Sequence, residues 1–469
     1  MRERGVDSSA MNVDFDLVKK YNVPGPRYTS YPTALQFRDD VPVDGLFRVM
    51  REDIASGGNE ISLYVHIPFC KKLCWYCGCT NVPAGEGGSV GDRYLDALEK
   101  EIAQKKSALG LELVVRQLHF GGGTPSALSP AQIDRLSAML HGAFRFAADA
   151  EISVEIDPRT ATPEIVAAFR RLGCSRASLG VQDLDPKVQV AIHRVQPEKM
   201  VRDTVALLRE QGFSSVNFDL IYGLPFQTEK SYARTLDSVL ALSPDRLSVF
   251  SYAHVPWIKP QQKLLEKTGA FPSPDEKLGI LKSVIERLTR SGYVYIGMDH
   301  FAKEDDELAH ALRERRLQRN FEGYSTHAGL PILGLGMSSI SQSARSFSQN
   351  EKTLDGYEAL VGAGTTPVVK GLILTDEDCR RREIIMRVMC DLQLDFVAMG
   401  EKLGGIDFGK TYARELEKLH PLAEDGLVEF CGSGLRVTQT GRLFIRNIAM
   451  AFDAYFSPSA AGTRHSKTV

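Results

Sequence analysis

Six short, mostly apolar runs lie between residues 61 and 255, and helical patterns alternate with them. The runs cover 61–67, 114–120, 151–157, 176–182, 214–221 and 246–252. Near-continuous apolar runs of this length read as strands buried on both faces. Between them, 91–104 places Tyr94, Leu95, Leu98 and Ile102 on one helical face. The next two patterns open on capping pairs, Ser129–Pro130 and Thr162–Pro163, and the second stops at Gly173. Patterns at 198–212 and 229–242 complete the series. Such alternation predicts a parallel sheet covered by helices. A closed eight-unit barrel would need two more strands. The expected fold is therefore α/β, a partial six-unit (β/α)6 barrel, with a doubly wound sheet as its rival. In either, the chemistry sits at the C-terminal ends of the strands.

The flanks read differently. Residues 1–54 lack a steady period and contain PGPRYTSYPTA (24–34), which predicts an irregular N-terminal arm. The core barrel is expected over 55–290 and an extension over 291–370. Within the extension, KEDDELAHALRERRLQRN (303–320) reads as a charged helix with a solvated face. Residues 371–469 read as a mainly helical domain with a strand pair near 427–430 and 434–438. The polar end from 458 is expected to be disordered.

Composition matters through its eight cysteines, four of which, Cys70, Cys74, Cys77 and Cys79, fall within ten residues. The scattered four, Cys174, Cys379, Cys390 and Cys431, are expected to be small buried hydrophobes. A disulfide framework suits a small secreted domain, whereas clustered cysteines in a reducing compartment bind metal or do redox chemistry. The N-terminal residues lack the apolar stretch of a signal peptide. No apolar run reaches the roughly 18 residues of a membrane span. A net charge of −2 gives no general attraction for nucleic acid or anionic lipid. A cytoplasmic protein with no nucleic-acid or membrane partner is expected.

The first apolar run leads directly into CKKLCWYCGC, with the spacing Cys70-x3-Cys74-x2-Cys77. Structural zinc sites usually pair two distant knuckles, and no second knuckle is present. Three close thiolates instead suit three irons of a [4Fe–4S] cluster, leaving the fourth iron open to a small molecule. Cys79 follows Cys77 too closely for easy joint ligation of one cubane and reads as a neighbour.

C-x3-C-x2-C after the first strand of a βα barrel resembles the radical S-adenosylmethionine superfamily. PRYTSYPTA, LYVHIPFCKKLCWYCGC, HFGGGTP, EIDPR, LGVQD, FDLIYGLP, YAHVPW, GMDHFA and GRLFIRNIAMAFDAYF together resemble the oxygen-independent coproporphyrinogen III oxidase family. These blocks run in the family's order from about residue 20 to 457. The resemblance implies that Cys70, Cys74 and Cys77 ligate the cluster, and that Tyr64, Tyr76, Gly122 and Glu155 contact a first S-adenosylmethionine. Gly123, Thr124, Gln182, Arg194, Asp219, Ala253 and Ile340 match positions around a second. Several of these fall at expected strand ends, independently of the family name. A carboxylate such as Asp219 in an apolar strand is costly unless it is paired or bound to a ligand. His66, in the first strand, is either a core histidine or a neighbour of the cluster.

The resemblance further implies that an electron from a low-potential donor cleaves the cofactor to a 5′-deoxyadenosyl radical. That radical takes a hydrogen from a propionate β-carbon of coproporphyrinogen III. Loss of carbon dioxide and one electron leaves a vinyl group, and two such events give protoporphyrinogen IX. Arg27 and Lys72 are the candidates for substrate carboxylates. A monomer is expected from the resemblance alone. GYSTHAGLPILGLG (323–336) departs from the family pattern at His327 and Pro331, which places the second cofactor site in doubt. A haem-binding chaperone of the same superfamily, or another radical enzyme such as a methyltransferase, remains the alternative.

Overall fold

The computed structural model describes residues 14–85, 88–457 and 466–468. The chain divides into two compact units. One comprises Phe37–Ser273 with Gly329–Leu374; the other comprises Met1–Gln36, Pro274–Ala328 and Thr375–Val469. The four consecutive segments expected from the sequence follow chain order, whereas these units interleave segments distant along the chain.

The first unit holds six parallel strands, β1 (Glu60–Ile67), β2 (Val114–Gly122), β3 (Arg145–Ile156), β4 (Arg176–Gln182), β5 (Ser215–Tyr222) and β6 (Arg246–Ser251). They pair in chain order without reversal. A doubly wound sheet reverses at a switch point, so the structure decides against that rival. On the other side of β1, Ile332–Leu335 pairs in parallel, and Ile340–Gln342, Ser346–Asn350 and Val368–Ile373 continue antiparallel. Pro331 precedes this flanking strand, and its carbonyl accepts the Ser62 amide at 2.9 Å. At a strand's leading edge its missing N–H costs nothing.

The helices lie close to their expected bounds because their ends are capped. Ser129 and Gln132 form a capping box ahead of Pro130–Ala143, and Thr162 caps Pro163–Leu172, which ends at left-handed Gly173. Tyr94, Leu95, Leu98 and Ile102 of Ser89–Leu109 are buried as the pattern required.

Four expectations need correction. The arm is not irregular throughout, since helices span Phe15–Tyr21 and Val43–Ser56. The second buries Leu46, Phe47, Met50 and Ile54, yet it starts at Pro42 with no side-chain cap, so no start signal marks it. The charged pattern 303–320 is helical only over Glu307–Arg313 and then turns into the strand Gln318–Asn320. The helical C-terminal segment carries three strands rather than two, ordered Gln393–Asp395, Gly434–Val437, Val428–Cys431. Cys431 is exposed and Cys379 half-buried, so only Cys174 and Cys390 are the buried cysteines expected. The tail expectation falls largely outside the described residues, but the amide of Gly25 bonds Ser466 and that of Thr468 bonds Val23.

A buried polar knot ties the helix Ser89–Leu109 to the strands flanking β1. Glu101 and Lys105 form an ion pair at 2.9 Å, with side chains 0% and 1% exposed. Glu101 also accepts from the Gly336 amide, Tyr357 and Asn350, while Lys105 donates to the Gly334 carbonyl. Removing one partner of a buried pair strands the other charge. Lys105→Met is therefore expected to destabilise the chain by about 3–5 kcal/mol, read as a fall in the urea midpoint. Arg171→Met, at the exposed pair with Asp134, is expected to cost less than about 1 kcal/mol. The reverse ranking would refute this assignment.

Candidate functional site

The cysteine loop leaves the C-terminal end of β1. Phe69–Cys70 pairs in parallel with Val82–Pro83, closing the intervening residues into one loop. Trp75 stacks on His193 at 5.1 Å, and its amide bonds the Ile192 carbonyl at 3.1 Å. Gln262 donates to the Tyr76 carbonyl at 2.9 Å, Gln261 to that of Cys77 at 3.2 Å, and Lys259 to that of Cys79 at 2.5 Å. The rings of Trp75 and Tyr76 pack on an apolar cluster that includes Ile192, Leu224 and Leu265.

Each expected ligand sulfur meets a polar neighbour. Cys70 Sγ lies 3.3 Å from Thr124 Oγ1. Cys74 Sγ accepts from Arg159 at 3.4 Å and from Arg194 at 3.5 Å. Cys77 Sγ accepts from the Cys79 amide and from Asn81 Nδ2, both at 3.4 Å. Hydrogen bonding from Cys79 holds the Cys77 thiol down to about 6, whereas burial pushes that of Cys70 up to about 11. All eight cysteines are free thiols.

Asp157, just past β3, organises the cationic side. It accepts from Arg159 at 2.6 Å and from Arg194 at 2.9 Å, and Arg194 also donates to the Gly180 carbonyl at 2.6 Å. Burial would raise the Asp157 carboxyl, but Arg194 and Arg159 hold it below the usual range. Gln182, at the end of β4, has a left-handed φ of +65°. Its side chain and that of Arg194 converge on Gly180, each within 3 Å of where a Cβ would stand.

The glycine run after β2 approaches β1 through its backbone. A Cβ on Gly123 would lie 2.2 Å from the Pro68 carbonyl oxygen. Gly122 has φ +117°, and its Cβ would strike the His66 ring at 2.7 Å. Its amide instead donates to Glu155 at 3.2 Å, and His119 Nε2 lies 3.4 Å from the same carboxylate. Tyr64 stacks on His119, and its hydroxyl lies 3.1 Å from His66 Nδ1. His66 Nε2 lies 3.0 Å from the Thr80 carbonyl. A carbonyl can only accept, so His66 carries its proton on Nε2 and Nδ1 accepts from Tyr64.

Among the other expected residues, Asp219 accepts from Ser178 at 2.8 Å and Asn217 at 2.9 Å. The Ala253 carbonyl accepts from Gln262 at 3.2 Å, and Ile340 opens the strand that pairs it with Gln349. Lys72 is exposed on the cysteine loop. Arg27 belongs to the other compact unit and is ion-paired with Asp299. Asp157, Arg159, Asn81 and His119 were not singled out from the sequence. Asp157 and Arg159 were findable, since they follow a strand end, where this fold class places its chemistry.

This donor set suits an anionic cluster held by three thiolates. The Cys74 and Cys77 sulfurs face guanidinium and amide donors, that of Cys70 faces the Thr124 hydroxyl, and the glycine run leaves bare backbone beside them. Among the described residues no three His, Cys, Asp or Glu side chains converge as ligands of a single ion. Ligands of a cubane attach to separate irons and stand farther apart than ligands of one ion.

Residues 64–239 match the model of the radical SAM superfamily, and 374–444 that of the HemN C-terminal domain. The oxygen-independent coproporphyrinogen III oxidase of Escherichia coli (strain K12) is 45% identical over 463 residues, covering 98% of this chain and 100% of its own. That of Helicobacter pylori (strain J99) is 44% identical over 461 residues, covering 97% and 99%. A solved structure, coproporphyrinogen III oxidase (HemN) from Escherichia coli, described as a radical SAM enzyme, aligns with a TM-score of 0.89 at 43% identity. It covers 96% of this chain and 100% of its own.

Asp219 yields a pH prediction. Burial pushes its carboxyl from 3.8 to about 6. Between those values the folded state binds the proton more tightly than the unfolded chain does, so this position's contribution to stability falls as pH rises through 6. Asp219→Asn should raise the melting midpoint of the ligand-free chain more at about pH 7.5 than at about pH 4.5. A larger gain at the lower pH would contradict the burial of this carboxylate.

Proposed function

The chain belongs to the oxygen-independent coproporphyrinogen III oxidase family of radical S-adenosylmethionine enzymes, and from that premise we propose how its residues divide the work. The reaction is the oxidative decarboxylation of two propionates of coproporphyrinogen III to vinyl groups, giving protoporphyrinogen IX in haem biosynthesis. When bound, a [4Fe–4S] cluster and S-adenosylmethionine supply the radical that removes a hydrogen from the propionate β-carbon.

Cys70, Cys74 and Cys77 hold the cluster. Arg159 and Arg194 place positive charge at Cys74, while the Cys79 amide and Asn81 solvate Cys77. Charge-assisted donors of this kind stabilise a thiolate over its protonated form. Tyr64, Tyr76, Gly122 and Glu155 receive the first S-adenosylmethionine. The glycines admit it because any side chain there would collide with Pro68 or His66. Gly123, Thr124, Gln182, Arg194, Asp219, Ala253 and Ile340 line a second cofactor position. Pro331 weighs little against it, since its carbonyl serves β1 and no donor is needed where it stands. Arg27 and Lys72 are the weaker candidates for substrate carboxylates, the first being already paired.

The observation that carries this reading is the set of three cysteine sulfurs on one loop at the end of β1, each with a polar partner. Full-length similarity to named oxidases disfavours both the haem-binding chaperone and a methyltransferase. No helix among the described residues is long and apolar enough to cross a membrane. The same reading takes the enzyme as a cytoplasmic monomer supplied by a low-potential electron donor, without nucleic-acid or membrane partners.

Anaerobic reconstitution tests it. The expected products from coproporphyrinogen III are carbon dioxide, vinyl porphyrinogens, methionine and 5′-deoxyadenosine. Cofactor cleavage with no carbon dioxide from this substrate would sink the assignment. Cys74→Ala is expected to lose the native cluster, read by iron content and electron paramagnetic resonance. Cys79→Ala should keep it, because the backbone amide serving Cys77 remains; loss of the cluster there would make Cys79 a ligand.

A further inference from the structure

Four arginines fall between 313 and 319 in the run that the sequence presents as a solvated face. Arg313, Arg315 and Arg316 are exposed, but Arg319 is only 5% exposed. The cause is local. The strand Gln318–Asn320 folds back on Gly323–Ser325, and that register sets Arg319 opposite Tyr324. The guanidinium lies over the Tyr324 ring at 4.8 Å, and Tyr324 meets His300 edge-on at 5.4 Å.

Nε and Nη1 of Arg319 are buried and have no hydrogen-bond partner. Neighbouring arginines of the same compact unit are better provided for, none of them leaving more than one buried nitrogen without a partner. Arg27 has Asp299. Arg446 donates to the carbonyls of Gly25, Pro26 and Lys467. Arg442 donates to the Tyr295 carbonyl through Nη2 and leaves only Nε without a partner. Burial and the charges of Arg27 and Arg319 push Arg446 down to about 9, so guanidinium charge is crowded here. Asp299 feels both Arg27 and Arg319, yet its ion pair is with Arg27.

An unsatisfied buried donor costs about 1–3 kcal/mol, and more when charged. A cation–π contact returns about 0.5–2 kcal/mol. Arg319 is therefore left short of an anion. Its aromatic floor suits a short aliphatic arm, and its free donors suit the carboxylate at the end of one.

We propose that Arg319 is a substrate-binding residue that takes a propionate carboxylate of the tetrapyrrole against Tyr324. The proposal rests on the functional reading above, which supplies a substrate with four such carboxylates. The methionine carboxylate of S-adenosylmethionine shares this chemistry, so the test must separate the two.

Coproporphyrin III, a stable oxidised analogue, is titrated into the cluster-loaded enzyme and followed by its Soret band. Its tetramethyl ester and S-adenosylmethionine are titrated in parallel. The native enzyme is expected to bind the acid and not the ester. Arg319→Met should weaken binding of the acid about tenfold or more, leave S-adenosylmethionine binding unchanged, and raise KM for coproporphyrinogen III. Arg319→Lys should recover part of the loss. The melting midpoint of ligand-free Arg319→Met should equal or exceed that of the native chain, because an unpartnered buried charge has been replaced by an apolar isostere. A lowered midpoint with unchanged coproporphyrin affinity would show a structural arginine and overturn the proposal. Weaker S-adenosylmethionine binding with unchanged coproporphyrin affinity would overturn it in favour of the cofactor. Failure of the functional reading is separately visible, as a native enzyme that releases no carbon dioxide from coproporphyrinogen III.

Discussion

The Asp157 carboxylate holds two guanidiniums where they can reach one sulfur, and the geometry of the cysteine loop depends on that. Arg159 and Arg194 both donate to Asp157, and both also reach Cys74 Sγ. Without the carboxylate two buried cations would repel one another and leave the sulfur. With it, the trio carries one net positive charge, suited to a thiolate that must stay ionised. Asp157 stands where it does because β3 ends one residue earlier and Pro158 starts a short turn in which its carboxylate caps the Arg159 amide. Strand length, turn chemistry and ligand electrostatics thus meet at one residue.

Backbone approach is the second constraint. The ends of β1 and β2 pair so closely that a methyl group on Gly123 would overlap the Pro68 carbonyl oxygen. The same closeness puts the Gly122 amide on Glu155 and brings Thr124 to Cys70. A cradle of main-chain groups can touch a small polar ligand over a wide face, and it costs no side-chain entropy to order. The rigidity required is supplied beyond the other edge of β1 by the Glu101–Lys105 knot. That knot also fixes Gly334, whose strand pairs with Tyr64.

Most of the barrel was legible because its signals are local. Apolar runs of strand length, Ser129 and Thr162 caps and the stop at Gly173 each act within a few residues. The helix Val43–Ser56 was not legible, since Pro42 gives it no side-chain cap and tertiary burial alone sustains it. The cysteine spacing points to a cluster by itself, without the fold. The arginines that serve those sulfurs were harder to see, because a guanidinium's partner is set by topology and not by its neighbours in sequence. Arg194 and Cys74 are 120 residues apart.

Buried polar groups in this chain differ in how fully their hydrogen-bonding capacity is used, and the difference carries information that burial alone does not. Glu101 has an ion pair and three donors, and such closure marks a group whose work is done within the fold. Arg319 is buried too, yet two of its donors end on nothing. Arg194 stands between them, with its two terminal nitrogens satisfied and Nε left over beside the cysteine loop. An apolar residue of similar volume in place of a buried charge is often as stable or more so, which makes a guanidinium left short of partners a candidate for completion from outside the chain. Two unspent donors on one guanidinium therefore set Arg319 apart from Arg442, which leaves a single Nε unpaired while Nη2 is held by the Tyr295 carbonyl.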